Sequence, residues 1–93
     1  MSHSRQLSPQ TQSSIVARRK RARYQSWHRG CRETDQILGP FCDAHIEAMD
    51  EDALSLYEQF LEEDDADIWA WLTGAQPCPI AEYERFMQHM PRM

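Results

Sequence analysis

Wherever apolar residues cluster along this 93-residue chain, they do so in helical register. Phe41, Cys42, His45, Ile46 and Met49 stand 3, 4, 7, 8 and 11 residues beyond Leu38, which lays all six on one helix face between Cys31 and Met49. Gly39-Pro40 interrupts that stripe. Pro40 cannot donate to the carbonyl of Gln36, so a kink is expected. The stripe keeps its phase beyond the proline, which favours one kinked helix over two separate ones. Ala53, Leu54, Tyr57, Phe60 and Leu61 form the buried face of a third helix, with Asp50 as its N-cap and Glu51 and Asp52 in its first turn. An acidic corner, Glu62 to Asp65, leads to a fourth helix carrying Ile68, Trp69, Trp71 and Leu72. Asp64 or Asp65 can cap its start and Gly74 its end. After the stiff connector Gln76-Pro77-Cys78-Pro79, a fifth helix presents Ile80, Tyr83, Phe86, Met87 and Met90, with Pro79 in its first turn and Pro91 as its stop. No segment alternates with the period of a strand. The pattern predicts an all-α single small domain, a bundle of five short helices around one core.

The N-terminal third reads differently. Residues 1–13 are polar and predicted to be a disordered tail, leaving residues 14–93 as the folded domain. The first helix is predicted from Ser14 to Arg29, capped by Ser13 or Ser14 and ended by Gly30 in the left-handed conformation. Residues 1–32 carry eight Arg or Lys and no acid, whereas residues 33–93 carry all fifteen acids and two bases, so the two parts are +8 and −13. A basic arm on an acidic body points to an anionic partner surface or to self-neutralisation across the fold. No apolar run approaches the roughly 18 residues of a membrane span. No secretory h-region is present, and the Ser- and Arg-rich start is too short for a convincing mitochondrial presequence. Bacterial cytoplasm is therefore the expected compartment, with the mitochondrial matrix as the alternative. Cys31, Cys42 and Cys78 form no Cys-x-x-Cys and read as reduced thiols.

Candidate chemistry narrows the classes. The chain has no Ser-His-Asp pattern, no Gly-rich phosphate loop and no His-Glu-x-x-His, so an enzyme is not expected. His28-x-x-Cys31 and Cys42-x-x-His45 have a spacing that suits zinc. They pair unlike residues, and Cys42 and His45 belong to the core stripe, so no metal is expected. Arg18-Arg19-Lys20-Arg21 with Arg23, Tyr24 and Trp27 would suit a phosphate backbone, which keeps an antitoxin-like or nucleic-acid-associated regulator as the second reading. The acidic body opposes it. Trp69 and Trp71 point in different directions on one helix, which makes one of them core and leaves the other partly exposed.

The segment Ser26-Trp27-His28-Arg29-Gly30-Cys31-Arg32-Glu33-Thr34-Asp35 resembles the signature of the SdhE family of succinate dehydrogenase flavin-assembly factors. Its R-G-x-x-E motif is matched by Arg29, Gly30 and Glu33. Ile37-Leu38-Gly39-Pro40-Phe41, then Tyr57-Glu58-x-Phe60-Leu61-Glu62, then Asp67-Ile68-x-x-Trp71-Leu72-Thr73-Gly74 follow in the family's order, so the resemblance covers about residues 15–90. It implies a five-helix protein that binds the flavoprotein subunit of succinate dehydrogenase or fumarate reductase and promotes covalent attachment of FAD to that subunit. It further implies a chaperone that binds no FAD when isolated and is a monomer when free. Arg29, Gly30 and Glu33 are the expected docking residues, with Trp27, His28, Arg32 and Asp35 as secondary candidates. On physical grounds Arg29 offers a planar fork for carboxylates or carbonyls, Gly30 permits a sharp turn and close approach, and Glu33 lies one turn on. The bland alternative is an i, i+4 pair between Arg29 and Glu33.

Overall fold

A computed structural model describes the backbone of residues 7–91 and the side chains from Ser14 onward. It is all-α among the described residues. Helix α1 spans Leu7–Trp27, α2 Arg32–His45, α3 Glu51–Leu61, α4 Asp65–Thr73 and α5 Glu84–Met87, with 3-10 turns at Ile46–Ala48 and Ala81–Tyr83.

The stripe that begins at Leu38 runs through α2 and into the 3-10 turn after it. Pro40 sits inside α2 without interrupting it, and the chain continues into the 3-10 turn before Met49 leaves in an extended conformation. Proline's ring is exposed, and Ile37, Leu38, Phe41 and Cys42 beside it are buried. Apolar burial on both sides of the proline holds the helix together across the missing bond. In α3 the Asp50 carboxylate accepts from the Ala53 N–H at 2.8 Å, as an N-cap should, and all five predicted apolar residues are buried. Gly74 closes α4 with φ +81°. Trp71 is core and Trp69 half-buried.

Three predicted boundaries move. Helix α1 begins at Leu7, not Ser14, so Ser13 and Ser14 lie within it and cap nothing, and residues 7–13 of the predicted tail are helical. Pro9 is tolerated because it falls in the first turn, where backbone N–H groups have no intrahelical acceptor. The rest of that tail, residues 1–6, lies outside the described residues. At its other end α1 stops at Trp27, before Arg29, because the Arg29 N–H turns to the Asp35 carboxylate at 2.9 Å and leaves the helix ladder. Gly30, with φ +93°, serves the bend beyond the helix. Helix α5 is a single turn preceded by a 3-10 turn, and Pro79 lies ahead of both. Tyr83, Phe86, Met87 and Met90 are buried as the pattern predicts, while Ile80 is half-buried.

The core is aromatic. Phe60 meets Tyr83 with ring centroids 5.0 Å apart, and Phe86 meets Tyr57 at 5.3 Å, both edge to face. Phe41 joins them from α2 at 5.6 Å from Tyr57. Burial pushes the Tyr57 hydroxyl up, outweighing the hydrogen bond with Ser26 at 2.6 Å. Tyr83 is pushed up to about 12 by burial and by the Glu63 carboxylate to which its hydroxyl donates at 2.7 Å. Both phenols stay neutral at physiological pH and close the polar edge of the core.

Candidate docking corner

The junction between α1 and α2 gathers every residue of the predicted site. Its architecture starts with Arg29, whose side chain is only 10% exposed. The guanidinium donates to the Asp65 carboxylate, to the Leu61 carbonyl at 2.7 Å and to the Glu63 carbonyl. Leu61 ends α3 and Asp65 begins α4, so one side chain pins the corner between α1 and α2 to the corner between α3 and α4. Arginine suits this because its planar fork reaches three acceptors at fixed angles. Thr34 shares the arrangement: its hydroxyl lies 3.1 Å from the Cys31 carbonyl and 3.2 Å from the Asp65 carboxylate. Asp65 therefore acts as a partner of Arg29 and Thr34, and Asp64, at the N-cap position of α4, makes no side-chain capping bond.

Asp35 fastens the loop from the other side through the Arg29 N–H, and its own N–H bonds to the Cys31 carbonyl at 2.9 Å. The corner is thus fixed by Arg29, Thr34 and Asp35, which leaves the remaining site residues outward. Gly30, Arg32 and Glu33 are exposed. A Cβ built at Gly30 meets nothing within 4 Å, so the glycine is required by its left-handed backbone and faces open space. Glu33 receives a weak contact from the Cys31 thiol at 3.5 Å and forms no ion pair with Arg29 among the described residues. His28 stacks on Tyr24, with centroids 4.2 Å apart, and its Nδ1 lies 2.9 Å from the Tyr24 carbonyl. A shallow pocket of about 310 Å³ opens beside Glu33, between Cys31 and Asp65 on one side and Ala66 and Trp69 on the other.

Trp27 is 38% exposed. Its indole crosses Gly39 so closely that a Cβ there would stand 2.3 Å from Cδ2, and its Nε1 donates to Asp43 at 3.2 Å. Gly39 therefore permits α1 and α2 to meet, a role hidden behind its neighbour Pro40 in the sequence. Its signal in the sequence is a glycine inside a helical stripe, which points to a packing role.

Three of the basic side chains on α1 are answered within the chain. Arg18 binds Glu58 at 2.8 Å and Glu51 at 3.2 Å, Arg19 donates to the Met49 carbonyl at 2.9 Å, and Arg23 binds Asp43 at 3.1 Å. The paired Cys/His pattern does not assemble. Cys42 is fully buried, where desolvation pushes its thiol up, while His28 is exposed just beyond the end of α1. No group of three His, Cys, Asp or Glu side chains among the described residues is placed to hold a metal ion.

Comparison with known proteins adds the decisive observation. Residues 20–93 match the family described as the flavinator of succinate dehydrogenase. The chain belongs to this family. It is 35% identical over 79 residues to the FAD assembly factor SdhE of Acetobacter pasteurianus, covering 85% of this chain and 72% of that one. It is 40% identical over 67 residues to the mitochondrial succinate dehydrogenase assembly factor 2 of Penicillium rubens, covering 72% of this chain and 22% of that protein. The corresponding protein of Aedes aegypti is 39% identical over 72 residues, covering 75% and 44%. No solved structure matches the chain. No helix among the described residues is long and apolar enough to cross a membrane.

Proposed function

We propose that this chain is an assembly factor that docks on the flavoprotein subunit of succinate dehydrogenase, or of fumarate reductase, and promotes covalent attachment of FAD to it. The observation that carries the reading is the division of labour within the motif. Arg29, Thr34 and Asp35 point inward and make the corner rigid, while Gly30, Arg32 and Glu33, flanked by Trp27 and His28, face outward. A surface held in one geometry loses little freedom when a partner binds. The factor acts by binding and holding the flavoprotein, a chaperone's role, and the bond to the flavin forms in the flavoprotein.

FAD itself belongs to the partner. The pocket beside Glu33 is lined by two carboxylates, Glu33 and Asp65, which oppose a pyrophosphate. The isolated chain is a monomer that binds no FAD, and it works in the bacterial cytoplasm, with the mitochondrial matrix as the alternative. The nucleic-acid reading is disfavoured because Arg18, Arg19 and Arg23 are engaged by the chain's own acceptors.

The test is Gly30→Arg. Open space around Gly30 lets the side chain extend into solvent, and the left-handed backbone costs about 1–2 kcal/mol. The variant should keep its helical circular dichroism, lose binding to the purified flavoprotein, and leave that subunit without covalent flavin on a denaturing gel. Normal binding, or an unfolded variant, would remove the interface reading.

A further inference from the structure

A second groove lies at the far end of α2, roughly 20 Å along the helix from the docking corner by the rise of 1.5 Å per residue. Residues 33–93 contain fifteen carboxylates against two arginines and two histidines. Three of those four basic side chains, Arg85, His45 and His89, line this one groove of about 320 Å³. No carboxylate among the described residues lines it, although the surrounding body is strongly acidic. Its aromatic wall is Phe41 and Phe86, and the facing wall is alanine and methionine. His45 stacks on Phe41 with centroids 4.6 Å apart and faces His89 at 5.0 Å. The Arg85 guanidinium is exposed and stands 6.0 Å from the Phe86 ring centre.

A cluster of cationic and imidazole donors over an aromatic wall is complementary to a carboxylate whose neighbouring residue is apolar. We infer that this groove is a second docking point, and that it receives an acidic segment of the flavoprotein partner carrying an apolar residue beside its carboxylate. The inference rests on the proposed assembly function. It adds that one partner is gripped at both ends of α2, by the corner and by the groove, which fixes its orientation as a single contact cannot.

The experiment measures the affinity of the full chain for the purified flavoprotein subunit at low salt, with wild type, Arg85→Glu, Arg85→Gln and His89→Ala. A photo-crosslinking residue at Gln88, which also lines the groove, maps the contact. Arg85→Glu should weaken binding by about tenfold, with the milder variants between it and wild type. The crosslink should map to a flavoprotein peptide containing Asp or Glu, and changing that acid to lysine should restore binding of Arg85→Glu. If Arg85→Glu misfolds by circular dichroism, the loss must appear in Arg85→Gln and His89→Ala. Wild-type affinity in the folded variants would overturn the groove and leave the assembly function standing. A crosslink to a peptide without acid, or to a second copy of this chain, would do the same. Failure of the wild type to bind at all would overturn both.

Discussion

Helices α1 and α3 are held in the same small domain by opposite means. Helix α3 buries Ala53, Leu54, Tyr57, Phe60 and Leu61, and apolar area removed from water holds it. From Ser14 onward, α1 buries only Ala22 and Ser26 and is otherwise tied down by Arg18, Arg19, Arg23 and Trp27, each reaching across to an acceptor on α2, α3 or the segment between them. Apolar burial is strong and indifferent to direction. Charged hydrogen bonds add less net stability but fix position and angle. A helix that delivers the proposed docking motif needs its position fixed more than it needs added stability. The contrast has a gradient within it. Arg23 and Asp43 are 42% and 49% exposed at the side chain, so their pair is a solvated one, whereas Arg29 at the end of the series is nearly buried.

The largest effect is expected on the apolar side. Phe60→Ala removes a fully buried ring that touches Tyr57, Tyr83 and Phe86, and should cost about 3–5 kcal/mol in urea unfolding. A cost near that of a surface substitution would mean that the aromatic cluster is not what holds α3. Next comes the polar side at its strongest point. Arg29→Lys keeps the charge but cannot reach Asp65, Leu61 and Glu63 together, and should cost about 1–3 kcal/mol while loosening the docking corner. Hydrogen exchange should quicken at the N-terminus of α4 in that variant. Full rescue by lysine would show that charge alone suffices. The smallest effect is expected from Arg18→Ala, about 0.2–1 kcal/mol, shrinking further in 0.5 M salt as the pairs with Glu58 and Glu51 are screened. An effect as large as that of Arg29→Lys, or one untouched by salt, would erase the distinction between the two clasps.

What was legible in the sequence follows the range of the forces involved. The Asp50 cap, the α3 face and the left-handed Gly74 are set within a turn or two of chain, and they stand where the pattern places them. The stripe through Pro40 was legible for the same reason. The start of α1 was not, because from Ser14 onward this helix has almost no buried apolar face, and such a helix carries no periodic signal to mark where it begins. Arg29 shows the limit most clearly. Its acceptors lie 32 to 36 residues away, and two of them are backbone carbonyls, which every residue possesses and no spacing advertises. The motif could be read as a corner, but which of its members faced inward depended on where α3 ends. Gly39 was hidden by its neighbour, since a proline in a helix draws attention to bending and away from the indole that lies across the glycine.

The three tryptophans supply an optical consequence of this layout. Trp71 lies in the core with its ring centre 6.0 Å from that of Tyr83, Trp69 is half-buried at the rim of the pocket beside Glu33, and Trp27 lies over Gly39 with its indole N–H on Asp43. Emission from Trp71 follows global unfolding, Trp69 senses what enters the pocket, and Trp27 follows the seating of α1 on α2. With two of the three replaced by phenylalanine in turn, the same protein yields three separate spectroscopic channels. They would distinguish a corner that a partner has covered from one that has come loose.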